Sequence, residues 1–145
     1  MTVQQLSVFI ENRRGRLGEV LKVLKENDVS ILSMSLADTT EYGLLRLIVN
    51  KPEAGKNALS DAGFSSVLAE VIIVKVPHVS GALQNILELI AENEIDIEYM
   101  YGLSIESNEA YVVLKASNIQ KVDEVLTENG VRTLTCEELA QLYAC

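Results

Sequence analysis

Histidine is almost absent from this chain, and that shortage limits its chemistry at once. His78 is the single imidazole among 145 residues. A Ser-His-Asp or Cys-His triad would have to use it, and a polyhistidine metal site is excluded. Cysteine is nearly as scarce. Cys136 and Cys145 lie near the C-terminus in no metal-ligand spacing, and they read as bystander thiols in a reducing compartment. No Gly-x-x-x-x-Gly-Lys-Ser/Thr loop and no Gly-x-Gly-x-x-Gly fingerprint is present. Positive charge is in deficit as well: twelve basic against twenty-one acidic side chains leave −9, a poor match for a nucleic-acid backbone. Long apolar runs are missing, since stretches such as Val71 to Val74 cannot cross a bilayer. Met1 to Gln5 lacks the basic and apolar regions of a signal peptide. These absences predict a cytoplasmic protein that is not an enzyme, uses no cofactor, and contacts neither nucleic acid nor membrane.

What the chain does contain is an internal copy. Gly15 to Ile31 recurs as Gly81 to Ile97 at a constant shift of 66 positions. Six positions are identical across the two stretches: Gly15/Gly81, Leu17/Leu83, Leu21/Leu87, Glu26/Glu92, Asn27/Asn93 and Ile31/Ile97. Average residue usage would give about one. Composition is globular, with 48% hydrophobic and 23% charged residues. The repeat divides the chain into units 1–69 and 70–145, each near the lower size limit for a self-sufficient core.

Within the first unit, Leu6, Val8 and Ile10 alternate as one face of a strand. Leu17, Val20, Leu21 and Leu24 follow at the i, i+3, i+4, i+7 spacing of an amphipathic helix, which Asn27 should close in a left-handed conformation. Val29 to Asp38 and Leu44 to Val49 read as hairpin strands around a polar turn. Pro52 opens a second helix that Gly63 stops, and a strand near Ser66 to Ala69 completes β-α-β-β-α-β. The second unit repeats this order: a strand through Ile72, Val74 and Val76, a helix with Leu83, Ile86, Leu87 and Ile90, and hairpin strands Ile95 to Ile105 and Ala110 to Lys115. A helix carrying Ile119, Val122, Val125 and Leu126 ends at Gly130 before a strand Val131 to Leu134, and Glu137 to Tyr143 adds a short terminal helix.

The expected fold is therefore α+β: two ferredoxin-like units in tandem, antiparallel sheets with helices on one face. The opposite face should carry Phe9, Met34, Leu36 and Ile48 in the first unit, and Ile73 and Tyr111 in the second. So much apolar surface predicts a covering partner, most simply a homodimer.

The segment Glu11 to Gly18 joins the first strand to the first helix and concentrates unusual residues. Free N–H groups at a helix N-terminus receive carboxylates or phosphates, and Gly15 and Gly18 allow close approach. Arg13, Arg14 and Arg16 stand where the helix dipole disfavours cations, in a chain that is otherwise acidic. Either an anion is bound there, or the loop is a solvated basic turn balancing nearby acids.

Glu11-Asn12-Arg13-Arg14-Gly15-x-Leu17, with Asn27-Asp28-Val29-Ser30-Ile31 after the helix, resembles the ACT domain, whose loop often reads Glu-Asn-Arg-Pro-Gly-x-Leu. The second copy, Val76 to Leu83 with Glu94-Ile95-Asp96-Ile97, resembles the same signature, and the hairpin Ala37 to Leu47 is similar to that of stand-alone tandem ACT proteins. The resemblance spans about Gln4 to Leu134 and implies binding of a free amino acid at an interface between ACT units. Candidate contacts are Asn12, Arg13, Arg14, Gly15, Arg16 and Leu17 in the first loop, and His78, Ser80, Gly81, Ala82 and Leu83 in the second. Second-strand residues Ser33, Met34, Ser35, Tyr99 and Tyr101 would supply the facing wall. Arg14 departs from the usual proline, and Ser30 and Asp96 stand where ligand-binding members often carry asparagine.

Each of these residues has a plainer reading. In that reading His78 is a surface loop histidine capping the following helix, and the two tyrosines cover sheet surface or an interface. The function implied is a non-catalytic sensor that signals through assembly or through a partner enzyme or regulator. The alternative is an interaction module without a ligand. A ferredoxin-like enzyme is the third reading, and it lacks nucleophile-base pairs.

Overall fold

The computed structural model describes residues 1–11, 13–38, 42–103 and 109–142. The chain forms two compact units, Gln4–Ala69 and Glu70–Cys145, with Met1–Val3 belonging to the latter. Its elements are β1 (Val3–Glu11), α1 (Arg16–Glu26), β2 (Ile31–Asp38), β3 (Tyr42–Val49), α2 (Pro52–Asp61), β4 (Ser65–Pro77), α3 (Ala82–Glu92), β5 (Ile97–Leu103), β6 (Glu109–Ala116), α4 (Ile119–Glu128) and α5 (Cys136–Leu142). The two strands expected on either side of Glu70 are one strand, β4, of 13 residues. Among the described residues no helix is long and apolar enough to cross a membrane.

In the first unit the strand order is β2-β3-β1-β4. Leu6 faces Leu47 and Val8 faces Leu45 across the antiparallel β1–β3 pair, so their side chains share one face. With Val20 and Leu24 of α1, and Leu59 of α2, they form the core. Gly55 lets the two helices approach: a Cβ built there would lie 3.1 Å from Leu6 Cδ2 and 3.4 Å from Leu24 Cδ2.

The second unit orders its strands β4-β6-β5 and repeats the core with Ile72, Leu114, Ile86, Ile90 and Leu126. Each unit's first helix ends one residue later than expected. Asn27 and Asn93 remain at negative φ while their side-chain amides donate to Val23 O and Leu89 O, both at 2.8 Å. The left-handed residues are Asp28 (φ 58°) and Glu94 (φ 59°).

A bulge corrects the expected faces. Pairing along β2–β3 shifts between Ile31 and Ser33, and along β5–β6 between Ile97 and Tyr99. The extra residues are Leu32 and Glu98, so the irregularity is itself duplicated. Past the bulge Met34 faces Leu47 and Leu36 faces Leu45, which puts both on the helix side and not on the opposite face. Of the residues expected opposite the helices, Ile48 and Ile73 are fully buried while Phe9 is 48% exposed. In the second unit α5 reaches that opposite face, where Lys75 Nζ donates to Glu138 Oε2 at 2.9 Å.

The final strand expected at Val131 to Leu134 is reduced to a single bridge between Thr133 and Val74. Two flanking bonds hold it to β4: Lys75 N–H to Arg132 O at 2.9 Å, and Leu134 N–H to Ile73 O at 2.8 Å. Thr135 stops the strand by capping α5. Its Oγ1 accepts from Glu138 N–H at 3.1 Å and donates to Glu138 Oε1 at 3.4 Å.

Two predictions follow from this packing. Gly55→Val should lower stability in urea denaturation by about 1–3 kcal/mol, since the added branches have no room between Leu6 and Leu24. The hydrogen bond from Lys75, ahead of its charge and the bonds to Thr135, holds the Glu138 carboxyl below its ordinary value of 4.5. A depressed carboxylate stabilises the fold above its unfolded pKa, and that contribution is lost as pH falls through the lower folded value. The hydrogen-exchange protection factors of α5 should therefore fall below pH 4.5, and Glu138→Gln should lower them at neutral pH.

Candidate functional site

Both strand-to-helix loops end on a glycine in the left-handed region, Gly15 at φ 86° and Gly81 at φ 84°. Each is the N-cap of its helix, and neither helix has a side-chain cap. Gly15 O accepts from Glu19 N–H, and Gly81 O from Asn85 N–H, both at 3.0 Å. Nothing lies within 4 Å of a Cβ built at either glycine, so glycine is required by φ and not by crowding. Amides of the first helical turn consequently point outward without an intrahelical acceptor.

The first loop commits most of its arginines internally. Arg13 lies 3.7 Å from Glu11, with both side chains exposed. Arg16 Nη1 donates to Glu19 Oε2 at 2.6 Å, and its guanidinium stacks 4.3 Å from the Phe64 ring centre. Arg16 is partly covered, and its Nε is buried without a hydrogen-bond partner. Arg14 is exposed and has no ion pair among the described residues. Leu17 packs against the first core. Asn12 lies outside the described residues.

In the second loop His78, Ser80 and Gly81 are exposed, and Ala82 and Leu83 pack against the second core. The second-strand candidates divide between faces. Ser33 faces Ile48 and Ser35 faces Arg46, opposite the helices, whereas Met34 faces Leu47 on the helix side. Ser35 is level with Ser7 through Arg46, four residues short of Glu11 at the end of β1. That is about 13 Å along the strand, so loop and second strand of the same unit do not converge. Tyr99 and Tyr101 share the face opposite the helices, with ring centres 6.4 Å apart and planes at 16°.

Sequence reasoning missed a cavity of about 310 Å³ in the second unit. It opens between the start of α3 (Ala82, Asn85, Ile86), the end of β4 (Lys75, Pro77), Glu109 of β6 and the turn Gly130 to Arg132. Of the candidate contacts only Ala82 lines it. Arg132 and Glu109 stand outside the duplicated motif, and only their charges hinted at a role. Among the described residues no cluster of three His, Cys, Asp or Glu side chains is placed to hold a metal ion.

The sequence matches the ACT domain pair over residues 1–143. No curated protein matches it. Among solved structures it is similar to protein BT0572 from Bacteroides thetaiotaomicron, with 36% identity and a TM-score of 0.90, covering 97% of this chain and 96% of that one. It also shares its fold with the regulatory subunit of aspartate kinase from Thermus thermophilus in a ligand-free form, at 12% identity and a TM-score of 0.61, covering 86% and 91%. The corresponding subunit from Thermus flavus gives 11% identity and a TM-score of 0.59, covering 86% and 90%. Matched over nearly its whole length, with the β-α-β-β-α order present in duplicate, the chain belongs to the ACT domain pair family.

Proposed function

We propose that this protein is a non-catalytic regulatory module of the cytoplasm that binds a free amino acid or similar small acid. The observation that carries the reading is the pair of helix N-termini at Gly15 and Gly81, without a side-chain cap, where the amides of Leu17 and Gly18 and of Leu83 and Gln84 have no intrahelical acceptor. Such a turn suits a carboxylate: the amides donate to its oxygens, and the helix dipole favours its charge. The aspartate kinase regulatory subunits of similar fold support a regulatory role.

Output passes through assembly or through a partner enzyme or regulator, and a homodimer is the simplest working form. Supporting this, β2 is an edge strand of its unit, and its helix-side residues Met34 and Leu36 are 42% and 50% exposed. The same apolar edge favours the second reading, an assembly module that binds no metabolite.

A thermal-shift panel of the proteinogenic amino acids separates the two. Sensing predicts a saturable rise for at least one of them, worth about 2.7 kcal/mol at a hundred times its dissociation constant. Gly15→Val and Gly81→Val, made separately, then identify the responsible loop by which one loses the shift. A panel that stays flat at saturating concentrations leaves assembly as the function. Light scattering checks the oligomer independently, since a mass of one chain at every concentration removes the homodimer.

A further inference from the structure

The two units treat one position in opposite ways. At the start of α1 the first unit packs the Arg16 guanidinium on Phe64 and ties it to Glu19. Ala82 and Asn85 match Arg16 and Glu19 under the 66-residue shift. Phe64 matches Val131. Each follows a left-handed glycine, Gly63 (φ 88°) or Gly130 (φ 71°), and donates its N–H to the corresponding helical carbonyl, Leu59 O at 2.8 Å or Leu126 O at 2.9 Å. All three residues that fill the first unit's notch are thus replaced by smaller ones in the second, and all three replacements line the 310 Å³ cavity.

New polar groups accompany the lost bulk. Lys75, Glu109 and Arg132 line the same cavity, where the first unit holds Phe9, 66 positions before Lys75, and Tyr42 and Ser65, which strand register and the Gly63/Gly130 match put 67 positions before the other two. Lys75 is tied to Glu138 at 2.9 Å, whereas Arg132 is exposed and makes no ion pair among the described residues. Buried Ile86 and the side chain of Val131 give the cavity an apolar floor. Its walls therefore offer a guanidinium and an amide to a carboxylate, and hydrocarbon to a short side chain. The volume lies in the usual range for small-molecule sites, roughly 300–1,000 Å³.

We infer that the units have divided their labour: the first is closed by its own arginine, and the second takes one zwitterionic α-amino acid with a small apolar side chain in the cavity beside α3. The ligand carboxylate is bound by Arg132 and Asn85. This rests on the amino-acid reading given above and assigns it to one unit and one set of contacts.

Isothermal titration of the full chain with each proteinogenic L-amino acid tests it. The expected result is saturable binding of a small apolar amino acid at one site per chain. The triple variant Ala82→Arg, Asn85→Glu, Val131→Phe transplants the first unit's filling and should abolish binding. Arg132→Gln, a change at an exposed side chain, should weaken it by at least about tenfold, and it decides the question alone should the triple variant fail to fold. Binding that survives in these variants overturns the cavity assignment and leaves the sensing function standing. A wild-type chain that binds none of the amino acids overturns both.

Discussion

Four fully buried side chains in each unit fix where everything else can be. Leu6, Leu24, Leu47 and Leu59 join the sheet to both helices of the first unit. Ile72, Ile90, Leu114 and Leu126 do so at the matching positions of the second. Complete burial of a leucine or isoleucine side chain is worth about 1.5–3 kcal/mol, and any shortening leaves a cavity that adds to the loss. Those contacts set the height of each first helix above its sheet, and so place the left-handed glycine and the open amides at its start. A strand-to-helix loop can vary only at residues that do not belong to this set.

The duplicated framework was legible because it rests on local periodicity. Helical stripes at Leu17 to Leu24 and Leu83 to Ile90, strand alternation at Leu6 to Ile10, and the stops at Gly63 and Gly130 all correspond to observed boundaries within one or two residues. What the sequence concealed is non-local. A bulge leaves no mark on composition: Leu32-Ser33-Met34-Ser35-Leu36 alternates without a break, yet Leu32 is the extra residue that turns Met34 and Leu36 toward the helices. The role of α5 was equally hidden, since a seven-residue helix gives no periodic signal and its contact with β4 joins Lys75 to Glu138 across 63 positions.

Charge in the first loop illustrates the same limit. Three arginines near one glycine suggest an anion site when only neighbouring residues are considered. Folding brings Phe64 to Arg16 from the far end of α2, and Glu19 from one turn along the same helix. A guanidinium so placed offers less to an external carboxylate, because one of its nitrogens already donates to Glu19 and its face lies against an aromatic ring. The second loop looked poorer in the sequence for the opposite reason. Its cation, Arg132, is 51 positions beyond Gly81 and enters through the chain reversal after α4.

Net charge constrains which ligands such a cavity can hold. At −9 the chain repels free carboxylates at a distance, but at physiological ionic strength that repulsion is screened beyond about 8 Å. Inside that radius the cavity is governed by its own groups, of which Arg132 is the cation without an ion pair among the described residues, Lys75 being tied to Glu138. A dianion would meet one unengaged guanidinium and an opposing carboxylate, leaving its second charge poorly matched. A zwitterion sets its one carboxylate against that guanidinium, and its net neutrality removes the long-range penalty as well. The acidic surface and the mixed lining of the second unit thus select the same chemical class, whereas the first unit has used its cation to complete its own packing.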